Sequence, residues 1–153
     1  GVRVRAVRNT HFDECGHTPD IGTQSLSYRF DYGGEGIGYT GDTGPSPAVA
    51  ALFRGADLMV SEVIDLPAVA AKIDGPTSNT PPPFRAGLIA HLKSQHLSPQ
   101  DAGRIAAAAG VKRLVFTHLS IIGETDAVAP GLIAAAHQTY AGEVAVAHDL
   151  DSF

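Results

Sequence analysis

The stretch SPQDAGRIAAAAGVKRLVFTH, residues 98–118, constrains the fold more than any other. Ser98 stands where a helix needs an N-cap. Pro99 suits the first helical position, because the N–H it lacks would have no partner there, and Asp101 is a capping-box-like partner. Ala102, Ile105, Ala106 and Ala109 recur at helical spacing, and Gly110 ends the run as a residue that takes a left-handed cap at no steric cost. KRLVFTH then follows as a short apolar run of the kind buried on both faces of a parallel sheet. A helix that feeds straight into a buried strand is the unit of layered α/β folds.

The rest of the chain agrees with that class. Val2, Val4 and Ala6 alternate with arginines, as in a half-buried strand. HFDECGHTPDIG reads as loop, TQSLSYRFDY as strand, Gly33, Gly34, Glu35 and Gly36 as a hairpin turn, and IGYTG as the returning strand. Pro47 opens a second helix with Val49, Leu52 and Phe53 on one face, which Gly55 stops. DLMVSEV is a buried strand, a brief helix lies around 68–73, and residues 74–87, DGPTSNTPPPFRAG, read as a mobile loop that is either a connector or a lid. A helix over 130–140, with Leu132, Ala135, Ala136 and Thr139 along one side, and the strand EVAVAHDL close the chain. Strands come first and helices alternate with strands later, so an α/β layered single domain over 1–153 is expected.

Composition narrows the function classes. With 153 residues, 44% hydrophobic and 18% charged, the chain is neither disordered nor fibrous. No apolar run approaches the ~20 residues of a membrane-spanning helix. A formal charge of −5 argues against a general nucleic-acid binder but not against a nuclease whose metals carry the positive charge. One cysteine, Cys15, permits no internal disulfide. The chain opens as GVRVRAV, already strand-like and without Met, so we expect a truncated or processed chain. A cytoplasmic location is the default expectation, and a secretion signal could have been lost upstream.

Several ionisable residues stand at element ends, where sites gather in layered α/β folds. Asp42 follows IGYTG within GYTGDTGPS, His118 ends KRLVFTH, and His11 ends VRVRAVRNTH. His96 sits just before the N-cap of the helix that starts at Pro99, and Glu62 lies in LMVSEV. Imidazole and carboxylate suit zinc or a related divalent ion, a single Asp can bridge two such ions, and a further His can protonate a leaving oxygen. Each residue also has a plain structural reading. Asp42 can satisfy turn amides, and the histidines can be hydrogen-bonded residues without a ligand. Glu62 is the hardest to read as filler, because buried carboxylates are rare unless paired. His91 and His137 read as helix-surface residues, and His17 and His148 carry no motif.

In order, YTGDTGPS, GADLMVSEV and HLSPQDAGRIAAAAGVKRLVFTH resemble the C-terminal half of the metallo-β-lactamase superfamily. The nearest branch holds tRNA 3′-processing endonucleases of the RNase Z type and related zinc phosphodiesterases and arylsulfatase-like hydrolases. The resemblance implies an αββα sandwich of which this chain covers the C-terminal half. It implies two divalent metal ions, zinc first, held in part by His11, by a bridging Asp42 and by His118. It implies a metal-bridging hydroxide that attacks a phosphodiester, or a sulfate or other ester. His96 then assists the leaving group, and Glu62 orients His96. The family segment His-Glu-Ala reads Ser61-Glu62-Val63 here and His-Ser-Thr reads His96-Leu97-Ser98, departures that favour a looser relative of the tRNA-processing enzyme.

The family's His-x-His-x-Asp-His string is not in this sequence. The resemblance therefore implies an incomplete ligand set and a sheet face left open for a partner, either the missing N-terminal half or another copy. Substrates would be a small-molecule ester or an RNA-type phosphodiester. The alternative is a non-catalytic fragment that folds by association.

Overall fold

The computed structural model describes residues 1–13, 22 and 24–153. Cys15 and His17 lie outside the described residues. Strands β1 (Arg3–Arg8), β2 (Leu26–Tyr32) and β3 (Glu35–Tyr39) form an antiparallel meander. Strands β4 (Leu58–Ile64), β5 (Arg113–Ser120) and β6 (Glu143–Val146) extend it in parallel, so the sheet runs in chain order from β1 to β6. The tight turn at Gly33 and Gly34 is shorter than the sequence suggests, since Glu35 and Gly36 already pair with β2.

Helices α1 (Pro47–Leu52), α4 (Pro99–Ala109) and α5 (Thr125–Ala136) cover one sheet face. Helix α4 follows its sequence signals closely. Ser98 accepts from the Asp101 amide at 3.1 Å, Ala102, Ile105, Ala106 and Ala109 are buried, and Gly110 closes it in the left-handed conformation at φ 66°. Beneath it, Met59, Leu114 and Phe116 are fully buried. Helix α1 is fastened from the sheet side. The Arg29 guanidinium, on β2, donates to the carbonyls of Leu52 at 3.3 Å and Arg54 at 2.7 Å, where the helix leaves carbonyls unpaired.

Two helices differ from expectation. Helix α2 (Leu66–Asp74) is longer than the brief piece at 68–73, and α3 (Pro82–Gln95) occupies much of what reads as loop over 74–87. Proline at the start of α3 is compatible with a helix, because the first turn needs no N–H partners. Its apolar residues form no strong stripe, and only Gln95 is buried. Helix α5 starts at Thr125, so Pro130 lies inside it rather than opening it. It ends at Ala136. Tyr140 lies beyond it, buried, with its hydroxyl donating to the Val111 carbonyl at 2.8 Å. His91 lies exposed on α3, and His137 caps α5 with its Nδ1 bonded to the Tyr140 carbonyl.

The register places Val4, Phe30 and Ile37 in one row and Ala6, Tyr28 and Tyr39 in the next, on the face away from the helices. Of these, Val4, Tyr28, Phe30, Ile37 and Tyr39 are 36–53% exposed, and Tyr28 and Phe30 stack at 6.3 Å. A contiguous apolar patch of this kind marks an interaction surface. No helix among the described residues is long and apolar enough to cross a membrane.

Gly38 in β3 faces the helical layer. A Cβ there would lie 2.6–2.8 Å from three ring atoms of Phe53, itself fully buried. Phe53 thus packs directly on sheet backbone. Gly38→Ala should cost about 2 kcal/mol through overpacking and lower Tm by roughly 4–8 °C in thermal unfolding. An unchanged Tm would show that the ring has room to shift.

Candidate active site

His11 lies three residues beyond β1, and Asn9 sets its position. Asn9 is buried, its Nδ2 donates to Ser27 Oγ and to the Thr40 carbonyl, both at 3.2 Å, and its Oδ1 accepts from the His11 amide at 3.1 Å. The chain after β1 is thereby tied to the sheet. His11 Nδ1 lies 3.1 Å from the carbonyl oxygen of Gln95. A carbonyl can only accept, so Nδ1 carries the proton and Nε2 keeps its lone pair.

Asp42 lies in the turn after β3. Ser25 Oγ donates to its carbonyl at 3.1 Å, and Gly41 before it has φ 58°. Two residues on, Gly44 packs against the end of α3 so closely that a Cβ would lie 2.0 Å from the Ser94 carbonyl oxygen. The turn can approach α3 only with glycine at this position. That approach brings Asp42 alongside the residues that close the helix.

Glu62 is the centre of the arrangement. It lies near the end of β4 and is 2% exposed. Its Oε1 accepts from the Thr43 amide at 3.0 Å and the Leu97 amide at 3.3 Å, and its Oε2 accepts from His96 Nδ1 at 3.0 Å. As with His11, the contact fixes the proton on Nδ1 and leaves Nε2 as the lone-pair nitrogen of neutral His96. The hydrogen bond to Glu62 holds the His96 pKa above its ordinary value against desolvation, and the charges of Glu62 and Asp42 add to the effect.

His118 is placed by a β-bulge. Between β4 and β5 the register advances two residues from Ser61 to Val63 but three from Phe116 to Leu119, so Thr117 and His118 hold the extra residue. His118 has φ 45°, an uncommon conformation for a residue with a side chain. Bulges re-aim side chains at strand ends. Here His118 Nε2 comes to 3.4 Å from Asp42 Oδ1. The His118 side chain is 61% exposed, against 14% for His96.

The five residues singled out in the sequence therefore meet in one place. Donor atoms of His11, Asp42 and His96 lie within 4.8 Å of one another, and the rings of His11 and His96 meet edge-on at 5.2 Å. His118 joins through Asp42, and Glu62 supports from beneath. Two imidazoles with fixed tautomers and a carboxylate form a donor set that suits a divalent metal ion, but the third place in this cluster falls to His96, expected as the leaving-group acid, and not to the expected ligand His118. Ser61 takes no part, being buried with its hydroxyl donating to the Glu62 carbonyl at 2.8 Å. Sequence reading missed Asn9, Thr43 and Gln95. Asn9 alone left a trace, as an amide side chain at the end of a strand, whereas Thr43 and Gln95 act through backbone groups that residue type does not reveal.

Residues 1–119 match the model of the β-lactamase superfamily domain. The chain belongs to the metallo-β-lactamase superfamily. It is 34% identical over 110 residues to the ribonuclease Z of Myxococcus xanthus, a match that covers 72% of this chain and 29% of that protein. It is similar in structure to the metallo-β-lactamase fold protein YhfI from Bacillus subtilis, with TM-score 0.63, 22% identity, and coverage of 95% of this chain and 46% of that one. The short form of human tRNase Z gives TM-score 0.54 and 23% identity over 97% of this chain and 41% of that chain. The structural likenesses establish a shared fold, with the helices and sheet described above as a metallo-β-lactamase-like layer pair. The chain spans less than a third of the length of the curated relative and under half of either solved structure.

Glu62→Gln keeps the shape of the side chain but sets an amide NH2 against donors that a carboxylate accepts. At least one buried donor loses its partner, which costs about 2–3 kcal/mol. Thermal unfolding should show Tm lowered by roughly 5–10 °C, with loss of the His96 Nδ1 proton resonance that the Glu62 contact protects from exchange. A variant as stable as the parent would mean that the carboxylate does not join these segments.

Proposed function

We propose that this chain carries the C-terminal half of a metal-dependent phosphodiester hydrolase of the RNase Z type. The single observation that supports this most is the convergence of His11, Asp42, His96 and His118 above a buried Glu62, each from a separate segment. The assigned roles are His11, Asp42 and His118 as metal ligands, with Asp42 shared, and zinc as the first choice of ion. His96 is the catalytic acid and Glu62 its positioning residue. Bound metal would supply water that is deprotonated near neutral pH, together with charge to polarise the ester.

The residues of this chain divide the remaining work. Glu62 keeps the His96 proton on Nδ1 and so turns Nε2 toward the site. From there, a protonated His96 hands its Nε2 proton to the departing oxygen, which would otherwise leave as an alkoxide. The Gln95 carbonyl holds the His11 ring with Nε2 free to bind. The other ligands come from an upstream half that covers the open sheet face, in which case 1–153 is part of a larger domain. A second reading draws on that same apolar face. By itself, the polypeptide is a non-catalytic fragment that pairs with its missing half or with another copy.

The test uses protein restored with its upstream residues. Metal analysis should find divalent metal, and a bis-aryl phosphodiester should be hydrolysed, with activity abolished by a chelator. Asp42→Ala should lose both metal and turnover. His96→Ala should keep its metal while kcat falls about 10²–10⁴-fold, as expected for removal of a general acid. A restored protein that is metal-free and inert would overturn the hydrolase reading, and loss of metal from His96→Ala would move His96 into the ligand set.

A further inference from the structure

A pocket of about 350 Å3 opens beside His96. Pro45, Ile64 and Leu66 give it apolar walls, and the exposed Lys93 stands at its rim. Contacts outside the pocket hold the walls in place. The Ile64 amide donates to the Leu97 carbonyl at 2.9 Å, which ties the end of β4 to the residue after His96. Pro45 follows Gly44, whose close packing on the Ser94 carbonyl fixes that turn against α3.

The other polar groups of the lining are engaged with one another. Ser98 Oγ donates to one carboxylate oxygen of Asp101, and the second oxygen accepts from Arg104 at 2.6 Å. His96 is bonded to Glu62. Among the described residues Lys93 makes no ion pair, so its ammonium is the one charge in the lining without a partner.

We propose that this pocket holds the leaving group of the substrate, an alcohol or phenol with an apolar body about one ring in size and a carboxylate that meets Lys93. The proposal rests on the hydrolase reading above and selects the small-molecule ester over the RNA-type phosphodiester. A leaving oxygen that takes the Nε2 proton of His96 must come within hydrogen-bond reach of it, so the group attached to that oxygen starts beside the His96 ring, where the pocket lies. The volume is near the lower end for ligand pockets, which begin at about 300 Å3, and suits a single ring. One free ammonium balances one carboxylate, whereas a ligand with a charge on every unit calls for a row of free cations. In the reaction the bond from phosphorus to the leaving oxygen breaks with its electron pair on that oxygen, which takes the His96 proton. Water supplies the oxygen that replaces it on phosphorus and the proton that restores His96. The products are a phosphate monoester and a hydroxycarboxylic acid.

The test uses protein restored with its upstream residues and two methyl aryl phosphodiesters, one with a 4-carboxyphenyl and one with a 4-carbamoylphenyl leaving group. The two have the same shape and differ in charge. The readout is the ratio of their kcat/KM values, compared between variants so that intrinsic reactivity cancels. The ratio should favour the carboxylate about fivefold more in the parent than in Lys93→Met, the size expected of one exposed ion pair, and should swing the other way in Lys93→Glu. Raising salt to about 0.5 M should shrink the difference. A lysine that only complements the carbonyl end of α3 would leave the ratio unmoved. Binding is read apart from turnover. With EDTA present, 4-hydroxybenzoate should shift the Leu66 and Lys93 amide signals in NMR spectra, and 4-hydroxybenzamide should need about fivefold more ligand for the same shift. The proposal is overturned if the Lys93 variants keep the parent ratio, if 4-hydroxybenzoate shifts neither signal, or if an oligoribonucleotide has a higher kcat/KM than either ester. Failure of the hydrolase reading would appear separately, as a parent protein that binds 4-hydroxybenzoate at these residues yet turns over none of the three substrates.

Discussion

A carboxylate with almost no access to water organises this molecule. A buried charge is costly unless hydrogen bonds replace its hydration. Glu62 meets that condition with donors from three places, the Thr43 amide, the Leu97 amide and the His96 ring. These donors belong to the turn after β3 and to the junction between α3 and α4. Satisfying one side chain on β4 therefore sets how the turn, the helix end and the strand lie relative to one another. The demand of the fold for a paired Glu62 and the demand of the site for an oriented His96 are met by the same contact.

This coupling explains what was legible in the sequence and what was not. Helix α4 could be read almost residue by residue, because Ser98, Pro99 and Gly110 act locally and Ile105 lies on an apolar stripe. Asp42, Glu62 and His118 were recognisable as chemical groups at strand ends. Their convergence came from the family resemblance, since spacing along a chain says nothing about which loops meet. Helix α3 was missed because its signals conflict. Three successive prolines at 81–83 announce a break, and the helix lacks a buried stripe that would contradict them. The bulge at Thr117 and His118 left no trace either, for LVFTHLS alternates no differently from an ordinary strand. It is a property of the pairing with β4, where one strand carries a residue more than its neighbour.

The two histidines beside Asp42 are held in different ways. His96 is anchored by its ring, with little exposure and a charged partner. His118 is placed by its backbone, in a left-handed conformation of the kind that surrounding structure must hold in place. An imidazole tethered through Nδ1 has a defined proton and a defined direction, as a group that transfers a proton requires. An imidazole aimed by a bulge but open to solvent can still adjust its ring, as a ligand that must meet an incoming ion requires.

Exposure across the site supports the same division. Side-chain exposure is 1% at Glu62 and 14% at His96 but 37% at Asp42 and 61% at His118. Glu62 and His96, the proton-handling pair of the proposed enzyme, already make their contact within this chain. Asp42 and His118, proposed as metal ligands, stand at the more open side of the site. A cation bound there by three or fewer protein donors would keep positions free for further ligands, and in the proposed enzyme the uncovered sheet face gives the upstream half a surface on which to dock. In the proposed enzyme, docking of that half would therefore do two things at once, removing Val4, Tyr28, Phe30, Ile37 and Tyr39 from water and bringing the remaining ligands to Asp42. Metal affinity and association of the halves would be linked, each strengthening the other by the same free energy.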